Sequence, residues 1–314
     1  MKLTALGVHS AFSVGEVVEV EVPESAATPA HKRRLYDPKF HSNFLMEFDQ
    51  GKDKAPYRFL FDMGGDIRHS MLFSANMRLG AIDGIYVSHN HNDHVGGIEG
   101  VALSTFFNPM WREHKRKWLE SKGDLNILNL LMKEDNLSFP DDCKPELFAH
   151  REVLSDTWKT AAPGLKTLQG ERSVSLDTYF NVRPMTTNVS KKIKDGDREW
   201  QFYTVESTHV MSGTSSMPTY GLMWECSDGQ KIYMPADTML LMPPSMKTFY
   251  IKADVVYQDT ETEIRSGVHS FIDDIEKADP EIKRKMYLYH YSKEPNVDES
   301  QYKGILRMGD VHVY

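Results

Sequence analysis

Cysteine is scarce in this 314-residue chain, which contains only Cys143 and Cys226. The two residues lie far apart in the sequence, and neither belongs to a Cys-x-x-Cys pair. The chain therefore lacks the patterns of a zinc knuckle and of a disulfide framework. We expect two free thiols in a protein of the reducing cytoplasm.

Long apolar runs and a surplus of positive charge are also missing. No apolar stretch approaches a membrane span, and Met1–His9 loses its apolar character too early for a signal peptide. We therefore expect an intracellular protein with no membrane partner. With 37 Lys and Arg against 45 Asp and Glu, the net charge is −8, so the overall basic field of proteins that grip long nucleic acids is absent. The basic segment Trp111–Trp118 favours a solvated helix face, with an electrostatic guide for phosphates as the alternative.

Apolar segments that alternate with polar turns indicate a layered α/β fold. Strand pairs are predicted at 43–48 with 57–61 and at 220–225 with 231–235. The proline-containing residues 23–42 predict a loop, and Ser175–Val182 predicts a further strand. The segment at about 103–195 is the least regular, and we interpret it as a partly helical insertion in a single domain that spans residues 1–314.

The densest cluster of chemically active side chains is the motif His89-x-His91-x-Asp93-His94. Imidazoles and carboxylates are ligands that zinc, iron and manganese accept. The motif follows a predicted strand through Tyr86 and Val87 and precedes Gly96 and Gly97, where a helix is expected to begin. It therefore predicts a metal site on a strand-to-helix loop, where α/β folds commonly place their chemistry.

Other acidic and histidine side chains also fall where a predicted strand ends. This set comprises Asp62, His209, Asp237, Asp259 and His290. Because such residues recur at the ends of successive strands, we predict that the active site lies along one edge of the sheets.

The chain resembles the metallo-β-lactamase fold superfamily in the order and spacing of Asp62, the His89–His94 motif, His209, Asp237 and His290. The sequences Leu6–Phe12, Val256–Thr260, Gly267–Ser270 and Leu288–Ser292 are similar to those of its tRNase Z-like phosphodiesterase branch. Leu176–Val182 and Met217–Leu222 are similar to the phage anti-Pycsar proteins, homodimeric enzymes that hydrolyse cyclic nucleotide signals. The resemblance implies an α/β fold, a four-layer αββα sandwich.

The resemblance also implies a site for two divalent metal ions, with zinc expected and manganese as the alternative. His89, His91 and His209 would bind the first ion, Asp93, His94 and His290 the second, and Asp237 both. We expect Asp93, His269 and Asp259 to act in catalysis, with His269 as the general acid and Asp259 orienting it. Asp62 is expected to support the histidine loop through hydrogen bonds rather than to bind metal.

The resemblance predicts a phosphodiesterase that hydrolyses cyclic nucleotides, with 3′,5′-cyclic mononucleotides as the leading substrates. The expected partners are this small molecule and a second copy of the chain, with nucleic acid as the less favoured alternative. The expected location is the cytoplasm, of the host cell if the protein is of phage origin. A tRNA 3′-end endonuclease is the first alternative, and a lactone or thioester hydrolase the second. Two departures weaken the tRNA alternative: Asp259 stands where the tRNase Z branch usually has Glu, and no Gly- and Pro-rich arm is evident between residues 101 and 195.

Overall fold

Two seven-stranded mixed sheets form the framework of the protein. The computed structural model describes residues 1–22, 31–52, 54–107, 144–166, 174–239 and 244–314. The strands are β1 Lys2–Gly7, β2 Glu16–Val22, β3 His31–Asp37, β4 Asn43–Phe48, β5 Tyr57–Phe61, β6 Gly84–Val87, β7 Glu146–His150, β8 Asn181–Met185, β9 Ser190–Asp195, β10 Arg198–Glu206, β11 Met211–Ser212, β12 Ser215–Ser216, β13 Tyr220–Cys226, β14 Lys231–Met234, β15 Val255–Asp259, β16 Met286–Tyr289, β17 Gly304–Ile305 and β18 Val311–Val313. The α-helices are α1 Ile67–Ala75, α2 Asn92–Val95, α3 Ile98–Phe107, α4 Arg151–Leu165, α5 Leu176–Tyr179, α6 Pro244–Lys252, α7 Ile272–Glu276 and α8 Pro280–Lys283.

The two sheets have matching topologies. The first has the order β18-β1-β4-β5-β6-β7-β8 and the second the order β17-β16-β15-β14-β13-β10-β9. In each sheet an antiparallel portion gives way to parallel strands, at the β5–β6 pair in the first and at the β14–β15 pair in the second. Parallel strands end at the same edge, so both sheets can present their strand-end residues to one region.

Aromatic side chains fill the space between the sheets. Phe44 of β4 packs edge-on against Tyr257 of β15 at 5.6 Å, and Phe59 of β5 packs against Trp224 of β13 at 5.2 Å. Helices cover the outer faces: Ile67, Val101 and Ala161 pack on the first sheet, and Tyr250, Ile275 and Ile282 on the second. This arrangement confirms the predicted αββα sandwich.

The predicted strand pairs are present, but two local predictions were wrong. The expected loop at 23–42 contains strand β3, where cross-strand charge pairs such as Glu19 with Arg34 replace the apolar pattern that identifies a buried strand. The expected strand at Ser175–Val182 begins as the helical turn α5. There the Ser175 N–H donates to Thr178 Oγ1 at 3.2 Å, which favours a helix start.

The predicted C-terminal boundary of the insertion, at about residue 195, lies too late in the sequence. Strands β7 and β8 belong to the first sheet and β9 to the second, so the chain has rejoined the core by residue 146. The basic segment Trp111–Trp118 lies outside the described residues, and the single-domain organisation stays a prediction. In the described part of the chain, no helix combines the length and apolarity needed to cross a membrane.

Candidate dinuclear metal centre

The strand ends of both sheets deliver the predicted site residues to one edge of the molecule. Asp62 directly follows β5, the 89–94 motif follows β6, His209 follows β10, Asp237 follows β14, Asp259 ends β15 and His290 follows β16. Asp62, Ala236 and His290 adopt left-handed backbone conformations, with φ of 61°, 61° and 65°. Such φ values are unfavourable for residues with a Cβ and concentrate at functional sites.

The first group of converging side chains is His89, His91, His209 and Asp237. His91 Nδ1 lies 3.0 Å from His89 Nε2 and 3.1 Å from His209 Nε2. The Oδ2 atom of Asp237 lies 3.8 Å and 3.7 Å from the same two Nε2 atoms. A tetrahedral zinc site with Zn–N bonds of about 2.0–2.1 Å separates its nitrogen ligands by about 3.3 Å, close to these spacings.

The second group is Asp93, His94, His290 and again Asp237. His94 Nε2 lies 3.2 Å from Asp93 Oδ2 and 3.2 Å from Asp237 Oδ2. His290 Nε2 lies 3.8 Å and 3.5 Å from the same two oxygens. The Asp237 carboxylate therefore contacts both groups, as the expected shared ligand must.

Hydrogen bonds to the Nδ1 atoms of His94 and His209 orient these two rings so that their other nitrogen points towards the cluster. His94 Nδ1 donates to Asp62 Oδ2 at 2.8 Å, and His209 Nδ1 donates to the Val268 carbonyl at 2.7 Å. Because Nδ1 of His94 and of His209 is used in this hydrogen bond, the Nε2 atom of each ring is the one that faces the cluster.

Serine hydroxyls orient two further rings in the same way. Ser88 Oγ donates to Asp62 Oδ2 at 2.7 Å and thus accepts from His89 Nδ1 at 3.0 Å. Ser42 Oγ donates to the His9 carbonyl at 3.1 Å and accepts from His290 Nδ1 at 3.0 Å. The sequence analysis did not identify Ser42 or Ser88 as residues that orient the histidines, because a single serine has no distinctive pattern. Ser42 is also remote in sequence from His290, whereas Ser88 directly precedes the motif and could have been suspected from that position.

Burial and the facing charges set the protonation of these groups. Burial lowers the pKa of His209 to about 4 and that of His290 to about 3, and it holds the pKa of His89 well below its usual value. Burial alone would raise the pKa of Asp237, but the facing His290 and His94 outweigh it and hold this pKa well below the usual range. His89, His209 and His290 are thus neutral beside an ionised Asp237, which are the protonation states that metal binding requires.

The donor set fits two divalent cations. Among the residues that the structure describes, His94 Nε2 and Asp237 Oδ1 are buried and find no hydrogen-bond partner, although buried polar atoms are normally paired. Burial opposes a charge on His94, but Asp237 and Asp93 outweigh it and raise the pKa of this ring well above its usual value. Cations bound among these atoms would pair the orphaned atoms and balance the carboxylates. The nitrogen and oxygen donors suit zinc and manganese alike.

Asp62 lies behind the histidine motif, as expected. It is fully buried, and its Oδ1 accepts the Ser88 N–H at 2.7 Å. The following backbone packs directly on the motif loop, since Met63 N–H donates to the His94 carbonyl at 2.7 Å and Gly97 N–H to the Met63 carbonyl at 2.8 Å. A Cβ at Gly64 would clash with the Asp93 carbonyl, so this close approach requires glycine.

His269 lies at the side of the cluster, next to Asp259. Its Nδ1 is 3.1 Å from Asp259 Oδ2, and its ring centroid lies 4.8 Å from that of His209. Burial disfavours the charged ring, but the charge of Asp237 and the hydrogen bond with Asp259 outweigh it and raise the pKa of His269 to about 9. The His269 ring is 18% exposed, so it remains accessible to a substrate.

A buried amide that the sequence analysis overlooked fixes Asp259. Gln258 Nε2 donates to Asp259 Oδ1 at 2.7 Å, and Gln258 Oε1 accepts from the Tyr250 hydroxyl at 2.7 Å. Burial raises the pKa of Asp259 to about 6, while the hydrogen bond with His269 opposes that rise. Gln258 could have been suspected only from its place beside Asp259 at the end of β15.

Comparison with known proteins assigns a family. A sequence model of the anti-Pycsar protein Apyc1 family matches residues 33–122 and 130–311. The chain is 26% identical over 260 residues to the anti-Pycsar protein Apyc1 of Bacillus phage BSP38, which covers 82% of this chain and 84% of that protein. It is 30% identical over 155 residues to the protein of the same name from Bacillus phage 010DV004. That match covers 47% of this chain, which thus spans about half (54%) of that relative.

Solved structures support the fold independently. The metallo-β-lactamase fold protein YhfI from Bacillus subtilis superposes with a TM-score of 0.53 at 14% identity, covering 99% of both chains. The short form of human tRNase Z superposes with a TM-score of 0.53 at 14% identity, covering 100% of this chain and 99% of that one. Together with the groups of side chains that could hold metal ions, the family and the fold identify a metal-dependent hydrolase. The chain belongs to the anti-Pycsar protein Apyc1 family, on the metallo-β-lactamase fold.

Proposed function

We propose that this protein is a dinuclear metal-dependent phosphodiesterase that hydrolyses cyclic nucleotides, with 3′,5′-cyclic mononucleotides as its main substrates. The observation that carries the proposal is the convergence of two metal-binding groups on Asp237, with the His269–Asp259 pair beside them. A lactone or thioester hydrolase would not need a separate proton donor of this kind. The family resemblance, which implies enzymes that hydrolyse cyclic nucleotide signals, supports the same substrate class.

The metal-binding residues divide as the resemblance implies. His89, His91 and His209 would hold one ion, Asp93, His94 and His290 the other, and Asp237 both. Two bound divalent ions would activate a water molecule and offset the charge that develops on the phosphoryl oxygens.

His269 is proposed to supply the proton that the departing ester oxygen needs. The water oxygen bonds to phosphorus and gives up its proton to solvent, the bond from phosphorus to the ester oxygen breaks, and the proton on His269 Nε2 passes to the departing oxygen. Asp259 accepts from Nδ1 and thereby directs Nε2 towards the cleft. Neither residue is among the expected metal ligands, but with Asp237 they form a third group that could hold a metal ion. The metal content of a His269 variant therefore distinguishes a proton donor from a metal ligand.

The proposed setting follows from the relatives. The resemblance to the phage anti-Pycsar enzymes implies that hydrolysis of cyclic nucleotide signals blunts a bacterial defence, and the phage relatives of that name support action inside the host cell. The resemblance also implies a homodimer. Sedimentation equilibrium measures that state directly, and a monomer at micromolar concentration would contradict it.

The test is incubation of the purified protein with 3′,5′-cyclic mononucleotides, cyclic dinucleotides and a pre-tRNA, with the products followed by chromatography. We expect linear mononucleotides as the main products. Cleavage of the pre-tRNA alone would overturn the proposal in favour of a tRNA 3′-end endonuclease.

The His269→Ala variant tests the proton donor in the same assay. Loss of a general acid typically costs about 10²- to 10⁴-fold in rate, and we expect that loss with metal content near wild type. His69→Ala is the matched control, because His69 is an exposed histidine on α1. Loss of both metals from His269→Ala would instead make His269 a metal-site residue.

A further inference from the structure

A cleft of about 400 Å³ opens beside the metal-binding cluster. His269 and His290 form its inner end, and residues of two loops, 10–12 and 261–268, form its walls. A volume near the lower limit for ligand sites, about 300 Å³, accommodates one small molecule rather than a folded nucleic acid. Because His269 and His290 lie at its inner end, the cleft is placed to hold the part of a substrate that adjoins a phosphate bound at the cluster.

Phe12 occupies the first wall in an unusually exposed position. The turn that carries it is closed by the Ser13 N–H, which donates to the Ser10 carbonyl at 3.1 Å. The turn is fixed to the site because Ser10 N–H donates to the Tyr291 carbonyl, next to His290, at 3.4 Å. Phe12 is 93% exposed. An aromatic ring at the tip of an anchored turn offers a flat apolar face to a ligand in the cleft.

The second wall pairs an apolar side chain with acidic ones. The loop is held internally, since Glu261 Oε2 accepts the Ser266 N–H at 2.7 Å. Ile264 is 78% exposed and lines the cleft. Glu263 also lines it, and within the described residues its carboxylate has no hydrogen-bond or ion-pair partner. This wall therefore offers an apolar surface and one free acceptor.

We propose that this cleft is the nucleobase subsite, in which Phe12 stacks on the base and Glu263 accepts a hydrogen bond from an exocyclic amino group. The inference rests on the proposed function and names the substrate class further: a cyclic nucleotide with one phosphodiester and an amino-bearing base. Two glutamates in the walls repel a second phosphate, which disfavours cyclic dinucleotides and RNA backbone. Cytosine offers the N4 amino donor to a carboxylate, whereas uracil presents an acceptor at that position.

The experiment measures KM and kcat for 3′,5′-cyclic CMP and 3′,5′-cyclic UMP, a pair that differs in that donor. Cytidine serves as a competitive inhibitor that reports on base binding alone. Phe12→Ala is expected to raise KM for both nucleotides about 5- to 100-fold, because stacking on an aromatic side chain is lost. Phe12→Tyr should restore values near wild type. Glu263→Gln should reduce the preference for cyclic CMP about tenfold.

Phe73→Ala is the matched control, since Phe73 is 62% exposed on α1 and does not line the cleft. If Phe12→Ala and Phe73→Ala have the same KM and the same cytidine inhibition constant, the subsite is refuted. An unchanged nucleotide preference in Glu263→Gln refutes the amino contact. If the wild type cleaves bis(p-nitrophenyl) phosphate but no cyclic nucleotide, the proposed function fails and the subsite fails with it.

Discussion

Replacing Asp62 by Asn tests how the histidine motif is held. Both carboxylate oxygens are used: Oδ1 accepts the Ser88 N–H, and Oδ2 accepts from Ser88 Oγ and from His94 Nδ1, at 2.7–2.8 Å. An amide offers only one oxygen, so in either orientation its NH₂ group faces one of these donors. The substituted side chain would therefore leave a buried donor unpaired or reverse the proton position on His94.

Two magnitudes follow from that conflict. A buried donor without a partner costs about 1–3 kcal/mol, which we expect as the loss in the free energy of unfolding of the metal-free protein. If His94 instead accepts at Nδ1, its proton moves to Nε2, the atom that faces the second group. Loss of a hydrogen bond behind a metal-binding histidine typically weakens metal affinity about 10- to 100-fold, and we expect a loss in that range.

The assay is zinc affinity by competition with a chelating dye, together with urea unfolding of the metal-free protein. Asp195→Asn is the matched control. Asp195 is a buried carboxylate outside the cluster that accepts from Asp49 N at 2.8 Å and Trp200 Nε1 at 3.2 Å. It should lose stability but keep wild-type zinc affinity. Wild-type zinc affinity in Asp62→Asn would refute the reasoning.

Two further outcomes are expected. Removal of the metals by a chelator should abolish hydrolysis and lower the melting temperature, because ligand at 100 times its Kd stabilises the folded state by about 2.7 kcal/mol; zinc or manganese should restore both, and an unchanged melting temperature would contradict the metal site. Gln258→Leu should lower the free energy of unfolding by about 1–3 kcal/mol, measured by urea denaturation, because Tyr250 and Asp259 lose a buried partner. The same variant should lower kcat more than it changes KM, because Asp259 is no longer fixed towards His269, and a wild-type kcat would argue against that coupling.

The candidate metal-binding side chains could be located from the sequence because local order determines them. A strand end is marked by the point where an apolar run stops, and His89–His94, Asp237 and His290 all stand at such points. The sandwich could be anticipated for the same reason, since alternating strands and helices leave few ways to bury their apolar faces. The roles of these residues in binding and catalysis stay predictions.

The parts that could not be predicted depend on contacts between distant segments. Ser42 reaches His290 only after 248 residues of chain have folded back, and no spacing rule records that pairing. Strand β3 carries charges where a buried strand would carry apolar residues, so its pairing with β2 was invisible to a pattern based on hydrophobicity. The start of β7 was hidden for a related reason, because its parallel partners β6 and β8 are far from it in sequence.

The position of the site between the two sheets has a consequence for both stability and specificity. The first sheet supplies the 89–94 motif, the second supplies His209, Asp237 and His290, and the Asp237 carboxylate lies within 3.8 Å of nitrogens from both. Cations bound there would tie one half of the sandwich to the other, so metal affinity and folding are expected to change together. The candidate metal ligands are held in place by both sheets, so we expect them to have little freedom to select a substrate. Under the proposed function, we expect the loops at 10–12 and 261–268 to discriminate between a cyclic nucleotide and another phosphodiester, because loops can change without disturbing either sheet.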